Sequence, residues 1–241
     1  MKNLDYIKVF KKKYNLEELT GRFPFKAKEL LKSNKIVIAI FSITFLYLCY
    51  LSIPALYNHN IIQQKLENEI QSIFNSNSVE LEKLTYTFFP APHFNIKNII
   101  IYQKNEKNLK IAEIKNINFY ISQNNFFRKN DFDIKEIKII NSNIYIRNED
   151  NLQNLLLKGI KNKIKILRSK IFLQDKNNIT ISIVNVKNFK LNFDEKKNHN
   201  SLVLNGKVFN LPFKMVYYNN FYKNESNLNI NFKKIKLNFE S

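Results

Sequence analysis

Ile179-Thr-Ile-Ser-Ile183 and Phe189-Lys-Leu-Asn-Phe193 set an apolar side chain at every second position, with Thr, Ser, Lys or Asn between. A period of two sends successive side chains to opposite sides of an extended chain, so each run reads as a strand with one dry and one wet face. The same beat recurs in Asn143-Ile-Tyr-Ile-Arg147, Ser201-Leu-Val-Leu-Asn205, Phe213-Lys-Met-Val-Tyr217, Leu228-Asn-Ile-Asn-Phe232 and Ile235-Lys-Leu-Asn-Phe239. Polar breaks at 124–130, 194–200 and 219–227 separate the runs at hairpin spacing. Residues 79–241 are therefore expected to form a long, curled, mainly antiparallel sheet of about ten or eleven strands. One stretch departs from the beat: NLQNLLLKGIKNKIKILRSK, Asn151 to Lys170, has enough Leu and Ile for a short helix, which Gly159 weakens.

Upstream the period changes. In residues 58–78, Ile62, Leu66, Ile70 and Ile73 or Phe74 recur at steps of three and four, which places one apolar stripe on a helix that the Asn and Ser run from Asn75 to Ser78 ends. Before it, KIVIAIFSITFLYLCYLSIPALY, Lys35 to Tyr57, holds eighteen consecutive residues without a formal charge, Ile36 to Ile53. At about 1.5 Å per residue these approach the roughly 30 Å of a bilayer core, and Pro54 to Tyr57 complete the span. Tyr47, Tyr50 and Tyr57 gather toward one end, where amphipathic rings prefer the interface. Thirty-four residues precede the run and no small-residue cleavage site follows it, which argues against a cleaved signal peptide. Pro54 is expected to break the junction with the amphipathic helix.

Residues 1–35 carry ten basic and four acidic side chains, whereas 57–78 carry Lys65 as their one basic residue. This asymmetry keeps residues 1–34 in the cytoplasm as a basic tail and sends 58–241 across the membrane. In the tail, Asn15 and Glu18 form a capping-box spacing that Gly21 and Pro24 interrupt.

The net charge of +19 invites a nucleic-acid reading. The lysines, however, alternate with apolar residues along the strands and no nucleic-acid motif accompanies them, so no nucleic-acid partner is expected. Abundant Lys, Asn, Ile and Phe with 3 Gly and no Trp is the pattern of AT-rich codons. The juxtamembrane lysines suit anionic headgroups, at roughly 1 kcal/mol each. Cys49, the one cysteine, falls inside the span as a small apolar residue, which excludes a disulfide framework or a cysteine zinc site. His59, His93 and His199 stand apart, with no paired-carboxylate or HExxH spacing and no glycine-rich phosphate loop, so neither an enzyme, a metal nor a cofactor is expected. His93 reads as a turn histidine at a strand start, and Pro90 and Pro92 as residues that shape an edge or bend.

The sheet poses a burial problem. Its strands each offer an apolar face, and two short helices are too few to cover it, while a bare sheet would expose far more apolar surface than a soluble protein tolerates. A sandwich folded on itself, a protein partner, or a groove filled by acyl chains would each resolve it. In the third case the lining by alternation is Ile144, Ile146, Ile181, Ile183, Leu191, Phe193, Leu202, Leu204, Met215, Leu228 and Ile230.

Three stretches carry a family resemblance. Tyr86-Thr-Phe-Phe-Pro-Ala-Pro-His-Phe-Asn-Ile-Lys-Asn98 is similar to an F-P-x-P-x-x-x-I/V pattern, Ile134-Lys-Glu-Ile-Lys-Ile-Ile-Asn-Ser-Asn-Ile-Tyr-Ile146 to a stretch that introduces and extends a new element, and Leu204-Asn-Gly-Lys-Val-Phe-Asn-Leu-Pro-Phe213 to a G-x-x-x-x-x-P-F/V hairpin. With a spanning helix followed closely by an amphipathic one, the chain from 36 to about 218 resembles the AsmA-like family of envelope proteins. The resemblance implies a single-pass protein of the bacterial inner membrane with a periplasmic β-groove, related in architecture to bridge-like lipid-transfer proteins. It further implies a part in outer-membrane homeostasis by carrying phospholipid, with other envelope proteins as possible partners. At 4.7–4.9 Å per strand the groove would be about 50 Å long, shorter than a bridge across an envelope. The strand rhythm continues to Asn238-Phe-Glu-Ser241, which suggests a longer ancestor. The alternative from another class is a membrane-tethered structural or assembly scaffold whose dry face packs on itself or on a partner.

Overall fold

A computed structural model describes residues 34–76, 78–103, 106–127, 132–147, 162–194, 199–223, 225–232 and 235–240. The chain forms two compact units, residues 1–50 and residues 51–241. The described part of the first, residues 34–50, lies in helix α1, Asn34–Ser52. Phe41, Ile43, Phe45 and Leu46 are all exposed, so α1 is apolar on every side and not along one stripe. It is long and apolar enough to cross a bilayer. The Thr44 hydroxyl is satisfied within the helix by donating to the Ile40 carbonyl at 2.8 Å.

In the second unit, the helical path tightens at Pro54 into a 3-10 turn, Ile53–Leu56, and restarts as helix α2, His59–Phe74. The expected break at Pro54 is thus a full stop, since the ring has no N–H to give and crowds the preceding turn. Asn58 caps α2 by accepting from the Asn60 and Ile61 amides, and Asn75 closes it in the left-handed region. Ile62, Leu66 and Ile70, the predicted stripe, are buried. On another side of the helix, the Lys65 ammonium donates to the Phe132 carbonyl at 2.8 Å and Asn162 donates to Glu69 at 2.6 Å.

Among the described residues, eleven strands follow in one open sheet: β1 Ser78–Glu80, β2 Leu84–Thr87, β3 His93–Gln103, β4 Glu106–Ile121, β5 Ile134–Ile146, β6 Lys163–Gln174, β7 Thr180–Asp194, β8 His199–Val208, β9 Leu211–Asn220, β10 Glu225–Phe232 and β11 Leu237–Glu240. β1 and β2 share one edge of β3, and β3 to β11 then lie side by side in chain order. The class is α+β, mainly β. Every pairing is antiparallel except β5 with β6, which is parallel, as the long connection between Ile146 and Lys163 permits. Here the expected helix at 151–170 is corrected: residues 163–170 belong to β6, and 151–161 lie outside the described residues. Lys163-Ile-Lys-Ile166 has the period of a strand, and Ile164 and Ile166 pack between β5 and β7, so pairing on both sides overrides the helix-forming Leu and Lys content.

One row breaks the alternation in step across the sheet. Ile96 and Ile99 are both buried while Lys97 and Asn98 are exposed, and the same three-residue spacing recurs at Ile114 and Ile117, at Ile139 and Ser142, and at Ile166 and Ser169. Asn98, Asn141 and Arg168 lie in this row with φ of 50, 55 and 50°, and β7 bulges between Val186 and Asn188. This transverse crease resets each pleat, so apolar residues on both sides of it serve the same face. Asparagine tolerates the left-handed region; Arg168 does not, at a cost of about 1–2 kcal/mol. Arg168→Gly is therefore expected to stabilise the fold by about 0.5–1 kcal/mol after glycine's own entropy loss, read as a higher thermal midpoint. A lowered midpoint would refute the strain.

Candidate apolar binding face

Residues directly opposite one another in neighbouring strands share a face of the sheet. Following the register, one row runs Ile96, Ile117, Ile139, Ile166, Phe189, Leu204, Met215, Ile230, Phe239, apolar from β3 to β11 without a gap. Beside it runs a second: Phe94, Phe119, Ile137, Ile164, Leu191, Leu202, Tyr217, Leu228. Across the crease a third contains Ile101, Ala112, Ile144, Ile171, Val184 and Val208.

Nine of the eleven residues expected from alternation fall on this face: Ile144, Ile146, Leu191, Phe193, Leu202, Leu204, Met215, Leu228 and Ile230. The other two do not. Ile183 pairs with Phe172, which pairs with Tyr145, on the opposite side, and Ile181 is the extra residue where β6 and β7 slip register. Both are exposed, at 41% and 68%. The reason is local: Ile183 and Val184 are adjacent apolar residues, alternation allows either phase, and the pairing of Val184 with Ile171 selects Val184. Phe189 was legible from the same strand's beat and completes the longest row.

Cover over the face is uneven. Leu191, Leu202 and Leu204 are buried, Met215, Tyr217, Leu228 and Ile230 are partly exposed, and Leu237 and Phe239 on the last strand are exposed, Phe239 at 56%. Polar groups within the face satisfy one another: Ser142 donates to Ser169 at 2.8 Å, and Ser169 donates to the Leu167 carbonyl at 2.8 Å.

Near β2 and β3 the packing is aromatic. The Phe94 ring lies 5.2 Å from those of both Tyr86 and Phe132. The Tyr86 hydroxyl donates to the Leu51 carbonyl at 2.5 Å, and burial pushes its pKa well above the ordinary tyrosine value. The Tyr57 hydroxyl donates to the Phe126 carbonyl at 2.7 Å. His93 opens β3, its Nδ1 2.7 Å from the Ala91 carbonyl and its ring 4.9 Å from Tyr120. Pro90 and Pro92 lie in the turn between β2 and β3.

Apart from the Tyr145, Phe172 and Ile183 patch, the opposite face is mainly polar and basic. Lys138, Lys165 and Lys190 stand abreast on β5, β6 and β7. Glu136 offsets part of that charge by taking Lys165 at 2.8 Å and Lys163 at 3.8 Å. Farther along, Lys110 bonds to Glu113 at 2.9 Å and holds its carboxyl below the ordinary range against the opposing effect of burial. Among the described residues no group of His, Cys, Asp and Glu could hold a metal ion. This chain matches no protein-family model and no curated protein.

Proposed function

We propose that this is an AsmA-like, single-pass protein of the bacterial inner membrane whose periplasmic sheet binds or conducts phospholipid acyl chains along its apolar face, in the service of outer-membrane homeostasis. The observation that carries the reading is the pair of apolar rows along which burial fades toward the last described strands, one reaching Leu228 on β10 and the other Phe239 on β11. An acyl chain laid there would remove apolar surface from water at about 25 cal/mol per Å², with no need for a specific polar contact. In support of the anchor, α1 exposes apolar side chains all round, and the excess of basic residues before it argues for a cytoplasmic N-terminus.

A second reading, a membrane-tethered envelope scaffold with a closed core, is favoured by one specific observation: Leu191, Leu202 and Leu204 are buried by the protein's own atoms. The half of the face that discriminates is therefore β9 to β11. Purification of the chain from a lipid-containing membrane extract in neutral detergent, followed by mass spectrometry of co-purifying lipid, tests it. Met215→Asp or Ile230→Asp puts a carboxylate against the acyl chain, a penalty of about 3 kcal/mol or a hundredfold in occupancy, whereas Ile183→Asp on the other face leaves the lipid in place. Lipid-free wild-type protein, or equal loss in all three variants, would move the assignment to the scaffold.

A further inference from the structure

Where β7 bulges, β7, β8 and β9 form an open cleft of about 340 Å³ lined by Lys187, Lys207, Lys214, Asn205, Gly206 and Phe213, among others. Its origin is the bulge in β7. Val186 faces Gly206 and Asn188 faces Asn205, which leaves Lys187 as an extra residue without a partner in the ladder. The displaced backbone brings the Asn185 carbonyl over Gly206 so closely that a Cβ there would sit 2.6 Å from the oxygen. Asn205 and Lys207, two residues apart on β8, share a side of the sheet, and Lys214 lies directly across from Asn205. Three lysines from three adjacent strands thus line a single cleft.

That concentration of like charge has no internal offset. Elsewhere on the sheet Glu136 answers Lys163 and Lys165. Among the described residues no carboxylate pairs with Lys187, Lys207 or Lys214, and none lines the cleft. Beside Lys187 and across from Asn205, Asn188 has a buried side-chain oxygen with no hydrogen-bond partner. Oxygen and nitrogen of an amide are interchangeable by a half-turn, so the same position can offer two N–H donors. Three lysines lining one cleft, with an amide side chain and no acid among them, form the chemistry that holds a multiply charged oxyanion.

We propose that this cleft is a binding site for a phosphate-bearing anion, with Lys187, Lys207 and Lys214 supplying the charge and Asn205 the orienting hydrogen bond. None of the lining residues belongs to the apolar rows, so the site stands whether or not those rows bind acyl chains. A phospholipid headgroup and free phosphate share the required chemistry.

The test uses the full chain in neutral detergent at about 0.15 M salt, where diffuse surface attraction is screened beyond roughly 8 Å. The probes are inorganic phosphate, dihexanoyl phosphatidic acid and dihexanoyl phosphatidylcholine, followed by titration calorimetry and phosphorus NMR line broadening. The triple variant Lys187→Gln/Lys207→Gln/Lys214→Gln is expected to weaken anion binding by about tenfold or more, while the charge-matched triple Lys97→Gln/Lys138→Gln/Lys190→Gln on the rest of the sheet changes it by less than about threefold. Single Lys207→Glu, which leaves the ladder intact, is expected to move in the same direction as the cleft triple. Comparable binding of phosphate and phosphatidic acid identifies free phosphate as a sufficient ligand, and preference for phosphatidic acid identifies the headgroup. Equal weakening by both triples, or no binding of either anion to the wild type, overturns the site.

Discussion

Phe94→Ala is expected to cost about 3–5 kcal/mol, lowering the thermal midpoint of the sheet unit by roughly 10 °C. Phe94 is 2% exposed and stands at the head of the second apolar row, directly across from Phe119. Its ring is held between Tyr86 and Phe132, each centroid 5.2 Å away, and Phe132 also carries the Lys65 ammonium 4.4 Å above its ring. Truncation therefore leaves a cavity bounded by β2, by the segment before β5 and by α2, which cannot all collapse into it at once. It also loosens Tyr86, whose half-buried hydroxyl would then hold the Leu51 carbonyl with less support. Thermal unfolding followed by circular dichroism measures the loss, with Phe127→Ala as the contrast. Phe127 is 79% exposed, and its truncation should stay within about 0.5 kcal/mol. Similar small effects for both would show that this corner is not packed as described.

Gly206→Ala is expected to destabilise by about 1–3 kcal/mol although it adds only one methyl group. The new carbon would lie 2.6 Å from the Asn185 carbonyl oxygen and 3.5 Å from the Phe213 ring. A ring edge can turn aside, but the carbonyl belongs to the backbone of β7, and moving it means reshaping the bulge at Lys187. The same measurement on Lys187→Ala separates the causes, since that change keeps the backbone and removes only an exposed side chain. Equal stability of Gly206→Ala and wild type would mean that the bulge relaxes freely, and the cleft beside it would lose its rigid wall.

Much of the architecture was legible because strands and helices have different periods. Ile62, Leu66 and Ile70 announced α2 at steps of three and four, and Leu191, Leu202 and Met215 announced one face of β7, β8 and β9 at steps of two. Asn75 marked the end of α2, since asparagine accepts the left-handed turn that closes a helix. The misreadings arose where local pattern allowed two answers. Ile183 and Val184 fit opposite phases of the same strand, and Lys163 to Lys170 satisfied helical propensity as well as strand alternation.

By itself, then, the sequence determined the apolar helix, the amphipathic helix, a sheet of about ten or eleven mainly antiparallel strands, and the side of the sheet taken by nine of the eleven residues expected on its apolar face. These depend on side-chain spacing along a single segment, which the chain carries wherever it goes. Tertiary structure decided the parallel pairing of β5 with β6, the crease through Asn98, Asn141 and Arg168, the side on which Ile183 falls, and the gathering of Lys187, Lys207 and Lys214 around one cleft. Each of these depends on register between strands far apart in the chain, and a one-residue slip reverses every face it touches.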